Sequence, residues 1–258
     1  MNFQCEGRRV LVTAGASGIG AEIASALLRS GAAVHVCDID RGRLEAFAAA
    51  HPSVGVSLCD VVDEAAVARM FDEAAAALGG IDALVNNAGI SGPTSPIELT
   101  PSDDWMRTFA INVHGSFFCT RAAVPHLRRA GGGSLVNIAS VAGRLGFPLR
   151  SAYVGSKWAL IGLTKTWAME LGPSDIGVNA ILPGLVEGPR IRSVIEARSR
   201  ATGRSEADIE AGFLGDISLR RMVKPAEVAA LAVYLLSPAG RSISGQTISV
   251  DGNFEVIR

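Results

Sequence analysis

Apolar runs of strand length recur seven times along this chain, at residues 10–13, 34–37, 54–58, 83–86, 134–138, 178–182 and 247–250. Helical patterns rich in Ala, Leu, Arg and Glu separate them, at 21–30, 41–50, 63–78, 103–129, 152–171 and 225–236. Strands that alternate with helices are joined by crossovers rather than hairpins, so the sheet is parallel and covered on both faces. The expected fold class is α/β, a doubly wound seven-stranded parallel sheet. In such a fold, ligands sit beyond the carboxyl ends of the strands, and chemistry-bearing residues are sought there.

The 258 residues are 48% hydrophobic and 19% charged, with a formal net charge of −1. That suits a single domain, residues 1–258, with one large core. Near-neutral charge without a basic run argues against nucleic acid or an anionic membrane as partner, leaving a small-molecule substrate. No apolar stretch reaches the ~18 residues that span a bilayer, and the start lacks a signal-peptide profile, so a cytoplasmic location is expected. Cys5, Cys37, Cys59 and Cys119 form no C-x-x-C pair and His35, His51, His114 and His126 no ligand spacing, so no disulfide and no metal site is assigned. Residues 185–218 form a mostly helical, arginine-bearing insertion at a strand end, a candidate substrate lid.

Directly after the first strand, residues 13–20 read TAGASGIG and open into a helix. Small residues let the backbone approach a pyrophosphate, and the helix start offers unpaired N–H groups and a positive dipole end. Taken singly, such a turn is equally an ordinary tight connection. Asp38 closes the second strand, where an adenosine ribose would lie; its carboxylate accepts from the 2′- and 3′-hydroxyls and repels a 2′-phosphate. Ala16, Ser17 and Ile39 supply no cation for that phosphate, so NAD is favoured over NADP. Arg41 and Arg43, slightly downstream, suit the solvated face of the next helix better than NADP binding. Asp60 ends the third strand and is placed for the adenine amino group, with the Val61 N–H beside it, or else caps a helix. Asn86, Asn87, Ala88 and Gly89 end the fourth strand, where the side-chain amides can tie neighbouring strands together or simply form a turn.

Tyr153 and Lys157 are one helical turn apart and share a face. A phenol of pKa near ~10 is a poor base at neutral pH, and an adjacent ammonium favours its ionised form. In isolation the pair also fits a solvated helix face. Its company decides: residues 13–20, Asp60, residues 86–89, Asn112, Ser140, Tyr153 with Lys157, and Pro183 with Gly184 stand in this order.

In that order they resemble the short-chain dehydrogenase/reductase family over essentially the whole chain. The resemblance implies a Rossmann-type domain with strand order 3-2-1-4-5-6-7, a nicotinamide cofactor and commonly a homotetramer, with a homodimer as the smaller possibility. It implies Asn112, Ser140, Tyr153 and Lys157 as the catalytic set. Ser140 would hold the substrate oxygen and Tyr153 would be the acid/base. Lys157 would lower the phenol's pKa and hold the nicotinamide ribose, and Asn112 would hold a water leading to solvent. The implied cofactor set is Gly15, Ser17, Gly18, Ile19, Gly20, Asp38, Ile39, Asp60, Val61, Asn87, Ala88, Gly89, Tyr153, Lys157, Pro183, Gly184 and Val186.

Three positions depart from the family pattern. Ala14 stands where a first glycine is usual; since positive φ would cost alanine roughly 1–2 kcal/mol, extended backbone is expected there. Gly155 replaces alanine in the helix of Tyr153. Gly188 replaces a threonine, removing a hydroxyl.

The expected reaction is hydride transfer between NAD(H) and a secondary alcohol or its ketone, with hydroxy acids, sugar acids and polyols as candidate classes. Besides Ser140 and Tyr153, the arginines Arg144, Arg150, Arg190 and Arg192 include candidates for gripping a carboxylate, each weighed against solvated surface. An NADPH-dependent 3-oxoacyl thioester reductase is the rival enzyme, and a non-catalytic NAD(H)-sensing protein the rival of another class. Trp158, Leu160, Ile161 and Trp167 form an apolar stripe read as packing and subunit contact, with the 103–129 helix as its partner in a dimer.

Overall fold

A computed structural model describes residues 4–255. Residues 1–3, part of the start on which the expected absence of a leader rests, lie outside them. Seven parallel strands run in the order β3-β2-β1-β4-β5-β6-β7. They are β1 Arg9–Thr13, β2 Ala33–Asp38, β3 Gly55–Leu58, β4 Ala83–Asn86, β5 Gly133–Ile138, β6 Ile176–Pro183 and β7 Thr247–Val250. The helices are α1 Gly18–Arg29, α2 Arg41–Ala50, α3 Glu64–Leu78, α4 Ser102–Phe109, α5 Gly115–Arg129, α6 Ser151–Leu171, α7 Pro189–Thr202, α8 Glu206–Gly215 and α9 Pro225–Leu236. None is long and apolar enough to cross a membrane among the described residues.

The chain reverses between β1 and β4, the two central strands that pair Val10 with Ala83 and Val12 with Val85. Strand residues alternate between two cores. Val10, Val12, Val34 and Val36 pack with Ile23 and Leu27 of α1 and with α9 on one face. Leu11, Leu84 and Leu135 pack with α3 and α5 on the other. Side chains one residue apart point to opposite faces, so near-continuous apolar strands serve both layers. The crevice above the reversal is where such a sheet binds ligands.

The 103–129 pattern proves to be two α-helices, α4 and α5, joined by one π turn at Ala110–His114. Asn112 lies at the centre of the interruption. Its amide is buried and bound to Ile90 of the loop after β4 and to Ser156 of α6, which pulls the backbone out of α register. The insertion 185–218 is helical as expected, carrying α7 and α8. In the stripe on α6, Leu160 and Trp167 are buried, whereas Trp158 is half exposed, so packing and open surface divide it.

Candidate active site

The glycine turn leaves β1 with Ala14 at φ +47, not extended as expected. Long-range bonds impose the left-handed backbone. Gly15 N–H donates to the Cys37 carbonyl at 2.9 Å, and Asn87 Nδ2 donates to the carbonyls of Thr13 and Ala14, each at 3.0 Å. A Cβ on Gly20 would overlap the Ala14 carbonyl oxygen and Asn87 Nδ2, so that position packs the turn against β4. Gly18, by contrast, has φ +55 and open space where a Cβ would be, and it lines the cavity described below.

The asparagines at the end of β4 and directly after it tie strands together. Asn86 Nδ2 donates across to Asn137 Oδ1 of β5 at 2.9 Å, while Asn137 Nδ2 donates to Thr164 of α6 at 2.8 Å. Thr13 Oγ1 accepts from the backbone N–H of both Asn87 and Ala88, at 3.0 Å each. Sequence reasoning took Thr13 as the first residue of the 13–20 turn and assigned its hydroxyl no partner.

Asp38 is buried at the end of β2. One carboxylate oxygen accepts from the Asp40 N–H at 3.1 Å; the other has no partner among the described residues. A buried carboxylate oxygen without a donor is costly, and the hydroxyls of a ribose would satisfy it. Arg43, read as solvated surface, is exposed and also reaches the cavity lining: its guanidinium donates to Ser17 Oγ at 3.3 Å and pairs with Asp40 at 3.2 Å. Ile39 is exposed beside it. Asp60 Oδ1 accepts from the Val62 N–H at 3.1 Å in the turn after β3, while Asp63 caps α3. Val61 packs against Gly115.

A cavity of about 740 Å³ runs from the glycine turn to the ends of β5 and β6. Ser17, Gly18, Ile19 and Asn87 line one end, and Ser140, Tyr153, Lys157, Pro183, Gly184 and Val186 the other. Gly184 must be glycine, because a Cβ would come within 2.8 Å of the Asp251 Cα. Gly188 has φ +140, a conformation open to glycine alone, so a threonine is excluded at that position by the backbone. Gly155 has its own reason: a Cβ there would lie 3.2 Å from Phe109 Cζ of α4.

Ser140 Oγ accepts from the Ala142 N–H at 3.1 Å, which leaves its proton for another acceptor. Lys157 is fully buried, and its Nζ donates to the Ile138 carbonyl at 2.9 Å. Burial, with some repulsion from Arg190, lowers its pKa to about 7. Two of its three donors remain for a ligand, and oxygens brought to them would favour the charged form again. Nζ lies 5.8 Å from the Tyr153 ring centroid. Asn112 lies behind this set, outside the cavity lining. Its Oδ1 accepts from Ile90 N–H at 2.8 Å and its Nδ2 donates to the Ile90 carbonyl at 3.0 Å and Ser156 Oγ at 2.9 Å. Gly89 is packed between Asn112 and Lys157.

The candidate arginines separate. Arg144 is drawn away from the cavity, because Asp251 and Glu255 each hold it at 2.9 Å. Arg192 is exposed and does not line the cavity. Arg150 and Arg190 line it, joined by Arg198, which sequence reasoning overlooked inside the insertion. Phe147 and Phe213 add apolar wall from the same two segments.

A family profile described as enoyl-(acyl carrier protein) reductase matches residues 13–254. The chain is similar to 2,5-dichloro-2,5-cyclohexadiene-1,4-diol dehydrogenase of Sphingobium indicum, with 34% identity over 97% of this chain and 98% of the relative. It is 42% identical to 2-dehydro-3-deoxy-L-rhamnonate dehydrogenase (NAD(+)) of Sphingomonas sp. over 71% of this chain and 74% of the relative. Among solved structures, NAD+-bound xylitol dehydrogenase superposes with a TM-score of 0.93 and 31% identity, covering 96% of this chain and 98% of that one.

Proposed function

The chain belongs to the short-chain dehydrogenase/reductase family, and from that premise we propose an NAD(H)-dependent secondary-alcohol dehydrogenase with Ser140, Tyr153 and Lys157 as its proton-handling set. That it is an oxidoreductase of the alcohol-dehydrogenase kind using a nicotinamide cofactor follows from the family and its relatives. The residue roles are the further step, and one observation carries them. A single cavity joins the glycine turn at the start of α1 to Ser140, Tyr153 and Lys157.

Ser17, Gly18 and Ile19 would hold the pyrophosphate, Asp38 the adenosine ribose, Lys157 the nicotinamide ribose, and residues 183–186 the carboxamide end. When bound, the nicotinamide supplies the hydride acceptor for oxidation and the donor for reduction. Ser140 donates a hydrogen bond from its hydroxyl to the substrate oxygen and fixes it beside the phenol. Tyr153 takes the alcohol proton as the carbon becomes a carbonyl, and returns it in the reverse reaction. The positive charge of Lys157 stabilises the phenolate across the shared helix turn. Positioning lowers the entropic barrier, and a tuned base contributes roughly 10²–10⁴-fold.

NAD is preferred over NADP in this reading because the unpartnered oxygen of Asp38 faces the ribose, while Asp40 already neutralises Arg43. A homotetramer or homodimer assembled through α5 and α6 would cover Trp158, Met169 and Phe117, which are exposed. A cytoplasmic location fits four buried cysteines that form no disulfide among the described residues.

The test is NAD+ reduction followed at 340 nm against polyols, sugar acids and hydroxy acids. Tyr153→Phe is expected to abolish turnover while NADH still binds. Undiminished turnover in that variant would remove Tyr153 from the mechanism.

A further inference from the structure

The cavity carries more positive charge than a dinucleotide accounts for. Its charged lining residues are Arg43, Arg150, Lys157, Arg190 and Arg198 against the single carboxylate Glu187. Arg43 lies at the glycine turn, and Lys157 is assigned above to the ribose and the phenol. The other three arginines gather at the Tyr153 end, and none has a carboxylate partner among the described residues.

Arg150 is the most constrained of them. It is 8% exposed, with its guanidinium carbon 4.9 Å from the Tyr153 ring centroid. It donates to the Ser91 carbonyl at 2.9 Å and, weakly, to Thr94 Oγ1 at 3.3 Å, which leaves most of its five N–H donors unused. Burial pushes its pKa down, and Arg198 and Arg190 push the same way, opposed by Tyr153. Leu149, immediately before it, is held at φ +69, with its carbonyl accepting from Ser95 N–H at 3.0 Å. A strained residue thus immediately precedes this guanidinium. Arg198 donates to the Pro148 carbonyl at 3.5 Å and lies over the Phe213 ring at 5.3 Å, facing the same space from α7. Arg190 donates to the Gly89 carbonyl at 2.7 Å.

A buried cation that lacks a counter-ion is destabilising unless a ligand brings one. We propose that the substrate is a short hydroxy acid or its keto acid, whose carboxylate docks on Arg150, with Arg198 closing over it from the lid. This rests on the dehydrogenase reading, since it places the carboxylate beside the phenol and the reacting carbon within a few bonds of it. The planar guanidinium fork matches a carboxylate and gives a neutral alcohol of equal size nothing equivalent. Polyols are therefore disfavoured, and Arg144, paired with Asp251 and Glu255 outside the cavity lining, takes no part.

Binding separates this proposal from catalysis. The chain, with and without NADH, is titrated calorimetrically with 3-hydroxybutyrate and lactate and with the methyl ester of each. At least one acid is expected to bind tenfold or more tightly than its ester. Arg150→Met should erase that advantage without weakening ester binding, and Arg150→Lys should keep part of it. Arg198→Gln should lower acid affinity severalfold, and it serves where Arg150→Met does not fold. Acid and ester binding alike in both pairs, or an acid preference that survives Arg150→Met and Arg198→Gln, would overturn the proposal. NAD+ reduction with the same acids reports on the dehydrogenase reading by itself. An acid held through Arg150 but never oxidised would remove that acid as a substrate and leave the anion site standing.

Discussion

Asn112 clamps Ile90 by both backbone groups, accepting its N–H at 2.8 Å and donating to its carbonyl at 3.0 Å. The amide thereby fixes the loop after β4 against α6 through Ser156, directly behind Lys157 and Gly89. Asn112 and Ser156 are buried and Ile90 is half-buried, so removing the amide strands several partners at once.

Asn112→Ala should therefore destabilise the fold by about 2–4 kcal/mol, at about 1–3 kcal/mol for each buried group left unpaired. Turnover should fall more than tenfold, because Lys157 loses its backing. Urea unfolding and steady-state rates together check this. A variant as stable as wild type would show that the clamp is dispensable.

Ala14 at φ +47 stores strain that glycine lacks. The left-handed region costs an alanine about 1–2 kcal/mol, and glycine gives back roughly 0.5–1 kcal/mol in chain entropy. Ala14→Gly should raise stability by about 0.5–1 kcal/mol with cofactor binding intact, read from the denaturant midpoint. A lower midpoint would mean that the alanine methyl contributes packing that offsets its backbone.

His35 is buried in β2, with Nε2 2.8 Å from Ser57 Oγ, which in turn donates to Glu73. Burial lowers its pKa from 6.5 to about 4. The unfolded chain takes up a proton as pH falls through 6.5, whereas the folded chain resists until about 4. Stability present above pH 6.5 is thus lost progressively between these values, up to roughly 3 kcal/mol. In His35→Gln that part of the acid slope should vanish while the slope from carboxylates remains. Unfolding midpoints at pH 7 and pH 4.5 in both proteins give the comparison; parallel losses would exclude His35 as the cause.

Asp38 presents one unpartnered oxygen at the end of β2. Asp38→Ala should weaken NADH binding tenfold or more, measured by fluorescence titration, and narrow the gap to NADPH by removing the repulsive carboxylate. Wild-type protein that binds NADPH as tightly as NADH would end the argument for NAD.

The doubly wound sheet was legible before any coordinates, because burial on both faces makes parallel strands read as short apolar runs between helices. The strand order came from the resemblance and agrees with the structure. Gly20, in the first turn of α1, and Gly184, directly after β6, were legible as members of their motifs, and neither has room for a Cβ. The 103–129 pattern was less so. Its periodicity continues through the π turn, and nothing local distinguishes Asn112 from an ordinary helical asparagine.

What the chain's order of residues determined by itself was the alternation of strands and helices and the succession of Ser140, Tyr153 and Lys157, because periodicity and spacing are local properties. The tertiary structure alone decided that Ala14 turns left-handed, that Asn112 breaks its helix, and that Arg150 rather than Arg144 faces the cavity. Each of these is set by a partner distant in sequence: Asn87 for Ala14, Ile90 for Asn112, Asp251 for Arg144. A side chain's electrostatic fate depends on which groups the completed fold brings beside it, and four arginines within a similar stretch of chain carry no mark of that choice.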